Sequence, residues 1–160
     1  MTKKILIGLL FIFIFLQFIR PARNIAEGKS PNHISNKYAV PANVATVLEK
    51  ACNDCHSNNT VYPWYANIQP VGLWLDDHVK EGKGELNLDE FLTYAPKKAH
   101  HKLEEVIEMV KEGEMPLDSY TWIHKNAILS QDEKTALTGW ADVTMKQIAS
   151  ENNLKPEEKK

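Results

Sequence analysis

Residues 52–56 read Cys-Asn-Asp-Cys-His, and the 160-residue chain contains no other cysteine. On a helical turn Cys52 and Cys55 lie on the same face, because residues three positions apart are neighbours there. The C-x-x-C-H spacing is typical of c-type haem attachment, in which two thiols join the haem vinyl groups and the histidine reaches the iron. We therefore expect one haem c, covalently bound through Cys52 and Cys55, with His56 as an iron ligand.

Three other uses of a cysteine pair fit the sequence less well. A thioredoxin-like redox pair belongs in a βαβ context, and no convincing strand appears in the sequence. A zinc site needs four ligands, and there is no second Cys/His pair with suitable spacing. A plain disulfide would account neither for His56 nor for the helix that leads into the motif.

The charge distribution separates a basic N-terminus from an acidic remainder. Lys3, Lys4, Arg20 and Arg23 flank an apolar block, and residues 24–160 carry 15 lysines against 21 acidic residues, a net charge of −6. Overall the charge is −2, with 43% hydrophobic and 25% charged residues, which is ordinary for a globular protein. This distribution argues against nucleic-acid binding.

The apolar block from Ile5 to Ile19 follows two lysines, as in a secretory signal. No small-residue cleavage site follows it, so we interpret residues 1–20 as an uncleaved signal-anchor. Its 15 residues fall short of the ~17–25 usual for a span, a deficit that Lys4 and Arg20 could bridge by snorkelling. The expected location is the inner (cytoplasmic) membrane, with the haem domain on the periplasmic side, because haem is joined to cysteines outside the cytoplasm.

The rest of the chain predicts an all-α fold. Residues 21–41 are rich in proline and polar residues and are interpreted as a flexible tether, followed by a haem domain over 42–150 and a disordered polar tail over 151–160. Hydrophobic periodicity and capping signals predict the helices. They are a helix over 42–55, one over 71–80 ended by Gly82 and Gly84, one over 97–111 capped by Gly113, and one beginning at Ser130 with Glu133 completing a capping box.

The second iron ligand has several candidates. Met115 follows the glycine that ends a predicted helix and precedes Pro116, so it lies in a stiffened loop. His/Met ligation is the usual arrangement for electron transfer. Met115 is therefore favoured, and His78 is the best alternative among the histidines. Met109 and Met145 lie on predicted helices and suit core packing better.

Aromatic side chains near the motif are candidate walls of the haem site. Aromatic rings are equally suited to packing in an ordinary hydrophobic core. The candidates are Tyr62, Trp64, Tyr65 and Trp74. His56 should also donate its second ring N–H to a backbone carbonyl, which Pro63 or Pro70 could supply.

Taken together, these residues resemble the bacterial haem-binding domain family of small, membrane-anchored cytochromes c. The match covers about residues 42–145, and the anchor end Phe18-Ile19-Arg20-Pro21 is also similar. It rests on Cys-x-x-Cys-His-Ser at 52–57, Thr60, Pro63-Trp64-Tyr65, His78-Val79, Leu86-Asn87, Met115-Pro116-Leu117, Tyr120, Leu129-Ser130 and Trp140. The resemblance implies one covalent haem with His56 proximal and Met115 distal, in a periplasmic setting. It also implies a cytochrome c-like fold, in which the helix before Cys52 crosses the last helix near Trp140.

We expect a membrane-anchored electron carrier, not an enzyme, that exchanges electrons with redox proteins at the membrane surface. A six-coordinate haem has no free site for substrate, and the sequence shows no clear distal acid/base pair. The alternative is a haem sensor, ligand-binding or peroxidase-like module whose sixth coordination position is open or exchangeable.

Overall fold

The computed structural model describes residues 2–154, and this part of the chain is helical with no strand. This confirms the all-α prediction. Short 3-10 turns link the helices, and one of them, Trp64–Asn67, is used below. The helices are α1 (Thr2–Leu16), α2 (Ala42–Ala51), α3 (Asn53–His56), α4 (Val71–Glu85), α5 (Pro96–Glu112), α6 (Asp118–Thr121) and α7 (Gln131–Glu151).

The main core lies where α5 and α2 pack against α7. Leu103 of α5 and Leu137 of α7 are fully buried there, beside Val47 of α2. Trp140 belongs to the same core, and its indole Nε1 donates a hydrogen bond to the carbonyl of Ala39, just before α2 begins (2.9 Å). The expected packing of the helix before Cys52 on the last helix is therefore confirmed.

The capping signals at two helix ends are also confirmed. Gly113 ends α5 with φ 83°, a left-handed conformation that glycine adopts without steric cost. Ser130 precedes α7 and accepts a hydrogen bond from the Glu133 backbone N–H, while the Glu133 carboxylate accepts one from the Ser130 N–H. This reciprocal pairing satisfies two N–H groups that the helix itself cannot pair.

The prediction that Gly82 and Gly84 end the helix over 71–80 is wrong. Helix α4 continues through both glycines to Glu85. A Cβ atom at position 84 would have no neighbour within 4 Å, whereas one at position 82 would contact Cys55. Gly82 therefore permits close packing and does not end the helix.

Residues 21–41 do not form the predicted flexible tether. Ile34 and Tyr38 are buried in the main core, and the Ile34 N–H donates to the carbonyl of Leu88 (3.0 Å). Asn24 is held by Ser57, Thr60, Tyr62 and Lys83. The folded domain therefore begins well before residue 42, because contacts with distant residues order a segment that has no hydrophobic periodicity of its own.

The two ends of the chain also differ from the predictions. Helix α1 covers 15 residues and has no buried residue, and no helix within residues 2–154 has the length and apolarity to cross a membrane. At the other end, α7 extends to Glu151 and Leu154 packs against the core, so the predicted polar tail cannot begin at 151. Residues 155–160 of that predicted tail lie outside the described part.

Candidate functional site: the Cys52–His56 turn and its cleft

The cysteine motif forms one helical turn. Helix α2 ends at Ala51, and Cys52 leaves helical geometry with φ −125° before α3 begins. The Cys52 carbonyl then accepts hydrogen bonds from the N–H groups of Cys55 (3.2 Å) and His56 (2.9 Å). Because these bonds close the turn, the two thiols and the imidazole are held on one short, rigid piece of backbone.

Both cysteines are free thiols and half-buried. Burial, followed by the charge of the nearby Cys55, raises the pKa of Cys52 to about 12. Burial, followed by the charge of Asp54, raises the pKa of Cys55 to about 11. A thiol–disulfide exchange centre needs a thiolate at neutral pH, so these neutral thiols do not suit that chemistry.

His56 is oriented through its Nδ1 atom, which donates to the backbone carbonyl of Leu86 (3.0 Å). The expectation of a carbonyl partner is met, but Leu86 supplies it and neither Pro63 nor Pro70 does. The His56 carbonyl accepts a bond from the N–H of Leu88 (2.8 Å), so the residues after α4 hold the histidine at two points. With Nδ1 occupied in this way, Nε2 carries the lone pair that can bind a metal.

A polar network secures the loop that follows His56. The Asp89 carboxylate accepts from the backbone N–H of Asn58 (2.7 Å), and Asn87 Nδ2 donates to the Asn58 side-chain oxygen (2.8 Å). Asn58 Nδ2 in turn donates to Glu90 (2.8 Å). Since Asn87 and Asp89 are buried, this pairing satisfies groups that would otherwise destabilise the fold.

Helix α4 packs directly on the motif at Gly82. A Cβ atom at this position would lie 2.9 Å from the Cys55 carbonyl oxygen and 3.0 Å from the Cys55 Cβ. Backbone atoms cannot yield as a flexible side chain can. A glycine is therefore required for α4 to approach the cysteine turn this closely.

A mostly apolar cleft adjoins the turn. Cys55 forms part of its wall. The other walls come from the loop over 60–65, from one face of α4 (Val71, Trp74, Leu75, His78) and from residues within 117–124. Such a cleft suits a flat, largely apolar ligand.

Polar side chains also line this cleft. The Tyr120 hydroxyl donates to Asp54 (2.7 Å), and the ring of Tyr120 stacks on His124 with centroids 4.1 Å apart. Burial, followed by this hydrogen bond, raises the pKa of Tyr120 well above its usual value. His78 lies against Trp74, and its Nδ1 is 3.0 Å from the Trp74 carbonyl oxygen.

Comparison with protein-family models matches residues 11–143 to the haem-binding domain. The chain belongs to the haem-binding domain family. Comparisons with curated proteins and with solved structures give no significant match. The family match covers the cysteine turn, the cleft and most of α7, so the family assignment applies to the site and to the core that carries it.

Only some of the predicted site residues lie in the cleft of this haem-binding domain. Tyr65, Trp74 and His78 line it together with Cys55. Cys52 and Met115 instead pack against the main core. Trp64 is exposed beside Tyr65, and the Tyr62 hydroxyl accepts a bond from the backbone of Asn24.

Several contacts of the haem-binding domain's site were not predicted. Asp54 meets Tyr120, which stacks on His124, although Asp54 is far from both in sequence, and Leu86 lies 30 residues from the histidine it orients. Tyr120 was expected only through the family resemblance, and Asp54 only as part of the motif. Contacts of this kind depend on long-range packing that periodicity does not reveal.

The residues around the turn fit a haem. His56 has one ring nitrogen occupied by a backbone carbonyl and the other available for iron. The two neutral thiols share its turn, and an apolar cleft lies beside Cys55.

Proposed function

We propose that this haem-binding domain is a monohaem c-type cytochrome that carries electrons between redox proteins outside the cytoplasm. Cys52 and Cys55 would form the thioether bonds, and His56 would bind the iron through Nε2. The observation that carries the proposal is the Nδ1 hydrogen bond from His56 to Leu86, which orients the imidazole as a ligand. The haem would supply a one-electron iron couple.

The chain's own contribution would be to keep the coordination fixed while the iron changes oxidation state. Leu86 and Leu88 hold the ring and the carbonyl of His56, and Gly82 lets α4 brace Cys55. A ligand that does not move lowers the reorganisation needed for each electron transfer. This rigidity suits a carrier better than a catalyst, so we propose no enzymatic role.

We propose Met115 as the sixth ligand, because it follows the helix end at Gly113 and because His/Met ligation is usual in electron carriers. A second function has one observation in its favour. His78 and His124 line the cleft beside Cys55, whereas Met115 packs against the main core. With an open or exchangeable sixth position, the same domain would act as a haem sensor or a peroxidase-like module.

The proposed location is the extracytoplasmic face of the inner membrane. Two lysines precede the apolar α1, a pattern typical of export signals, and the chemistry of haem attachment requires an extracytoplasmic compartment. The proposed partners are redox proteins at that surface.

Covalent attachment can be tested in a host that has cytochrome c assembly machinery. We expect the full chain to retain haem after acid-acetone extraction, and the double variant Cys52→Ala plus Cys55→Ala to release it. Each single variant should retain one thioether and shift the pyridine haemochrome band. Loss of haem from the unaltered chain on extraction would overturn the proposal.

The electron-carrier role needs a separate measurement. The ferric protein should accept one electron reversibly, and the ferrous protein should bind CO slowly or not at all because both axial positions are filled. Rapid CO binding by the unaltered protein would instead favour the sensor or peroxidase-like function.

A further inference from the structure

A reciprocal hydrogen-bonded pair joins the end of α1 to the folded domain. Gln17 Nε2 donates to the Gln69 carbonyl (3.0 Å), and the Gln69 N–H donates to Gln17 Oε1 (3.0 Å). The side chain of Gln69 is 0% exposed and donates a further bond to the Ile19 carbonyl (3.1 Å). The segment after α1 is thus fixed to the domain and cannot serve as a swivel.

Two arginines strengthen this junction, and they are the only arginines in the chain. Arg20 donates to the Asn67 carbonyl (2.6 Å) and Arg23 to the Asn67 side-chain oxygen (2.7 Å). Arg23 also lies over the ring of Tyr62, 4.3 Å from its centroid. Both arginines remain exposed, so their charge can act on a neighbouring surface.

Large apolar side chains surround these charges. Phe18 is 80% exposed and Trp64 is 75% exposed. Trp64 is tied to the same junction because its carbonyl accepts a bond from Asn67 Nδ2 (3.0 Å). We call Phe18, Arg20, Arg23 and Trp64 the collar. Exposed tryptophan and arginine at the end of an apolar helix are the combination found at the boundary between lipid and water.

We propose that the collar rests on the anionic surface of a lipid bilayer and holds the haem domain in one fixed orientation on it. The inference rests on the proposed location at the inner membrane and adds a contact with lipid that the folded domain itself makes. Charge supports it, because residues 24–160 carry a net −6, whereas Arg20 and Arg23 place two positive charges beside the end of α1. Tyr65 lines the cleft and directly follows Trp64, so the cleft wall lies one residue from the collar.

The haem-loaded full chain can be reconstituted in vesicles that contain an anionic phospholipid and a phospholipid with a diazirine in its headgroup. After illumination, mass spectrometry locates the adducts. We expect adducts on Phe18 and Trp64, and several-fold fewer on Val143 of α7, which is similarly exposed. In vesicles of zwitterionic lipid alone, the labelling of Trp64 should fall.

Two sets of variants test the fixed orientation. Gln17→Ala removes the reciprocal pair, so labelling of Trp64 should drop while the protein still floats with the vesicles. Arg20→Gln with Arg23→Gln should lose the preference for anionic lipid, whereas Lys125→Gln should keep it. Haem content and the urea midpoint of each variant show whether the domain has stayed folded, and the arginine pair provides the test if Gln17→Ala does not fold.

The outcomes separate this inference from the proposed function. Protein that retains covalent haem but does not float with vesicles would overturn the collar and leave the cytochrome assignment intact. Adducts on α1 with none on Trp64 would show an anchored but freely tethered domain, which also overturns it. Equal labelling of Trp64 in the unaltered chain and Gln17→Ala would overturn the fixed orientation.

Discussion

Gly82 and Cys55 are in such close contact that no larger residue fits at position 82. A Cβ atom there would lie 2.9 Å from the Cys55 carbonyl oxygen, which belongs to the backbone of the cysteine turn. Two positions later, Gly84 has open space around it. Comparison of Gly82 with Gly84 therefore separates the packing role of a helical glycine from its effect on helix propensity.

We predict opposite effects for alanine at these two positions. Gly82→Ala should cost about 1–3 kcal/mol, because the helix or the cysteine turn must move, and it should lower the yield of haem-loaded protein. Gly84→Ala should stabilise the protein by up to about 1 kcal/mol, because alanine is the better helix former. Urea unfolding of the two variants measures both effects, and equal stability would contradict the close contact.

Substitution of the candidate sixth ligands should distinguish methionine ligation from histidine ligation. Met115→Ala should abolish the ferric charge-transfer band of methionine ligation and open the iron to CO, while His78→Ala and His124→Ala should retain the band. If Met115→Ala leaves the spectrum unchanged and His78→Ala alters it, the cleft histidine is the ligand and methionine ligation is excluded.

The Tyr120–Asp54 hydrogen bond should make stability sensitive to alkali. Burial and this bond raise the pKa of Tyr120 above its ordinary value of 10.0. A group whose pKa is raised in the folded state contributes stability below its unfolded pKa and loses it as the pH rises further. From about pH 9 to about pH 11, the unaltered protein should therefore lose more stability than Tyr120→Phe. Parallel pH profiles of the urea midpoint would contradict this.

The capping box of α7 should produce the reverse dependence, in acid. The Glu133 pKa is lowered from 4.5, chiefly by a hydrogen bond from Lys50 and then by the Ser130 backbone. The contribution of the Glu133 carboxylate to the free energy of unfolding is present above pH 4.5 and is lost as the pH falls through the lowered pKa. Glu133→Gln should thus be less stable than the unaltered chain at neutral pH and equally stable in strong acid.

Two substitutions help to assign that effect to the capping box. Ser130→Ala should cost about 1 kcal/mol, because it leaves the Glu133 N–H without its cap. Asp132→Asn, in the same helical turn but outside the box, should show a smaller change. Urea unfolding at neutral and acid pH compares the three variants, and an Asp132→Asn effect as large as that of Glu133→Gln would point to a general charge effect.

Local signals in the sequence predicted part of this structure well. The capping box at Ser130, the glycine end of α5 and the cysteine turn depend on residues within a few positions of one another, and the structure contains all three. Hydrophobic periodicity and capping signals also predicted helices where α2 and α7 occur. The all-α class followed from these features.

Long-range contacts account for what the sequence did not predict. Leu86 was not expected as the partner of His56, because any backbone carbonyl is chemically equivalent until the fold places one nearby. Gly82 was read as a helix end because its packing partner, Cys55, lies 27 positions away in the sequence. Ile34 and Tyr38 have no periodic apolar neighbours, so nothing local indicated that the core would include them.

The ordered segment before α2 has a practical consequence for anyone who wishes to trim the chain to a soluble fragment. A cut at residue 42 would discard Ile34 and Tyr38, and would leave the Leu88 carbonyl and the Trp140 indole without their partners. A cut just before Asn24 would keep these, together with the bonds that Asn24 makes to Ser57 and Thr60 beside the cysteine turn. The smallest fragment that can be expected to mature with haem therefore starts about 18 residues earlier than the haem motif's own helix suggests.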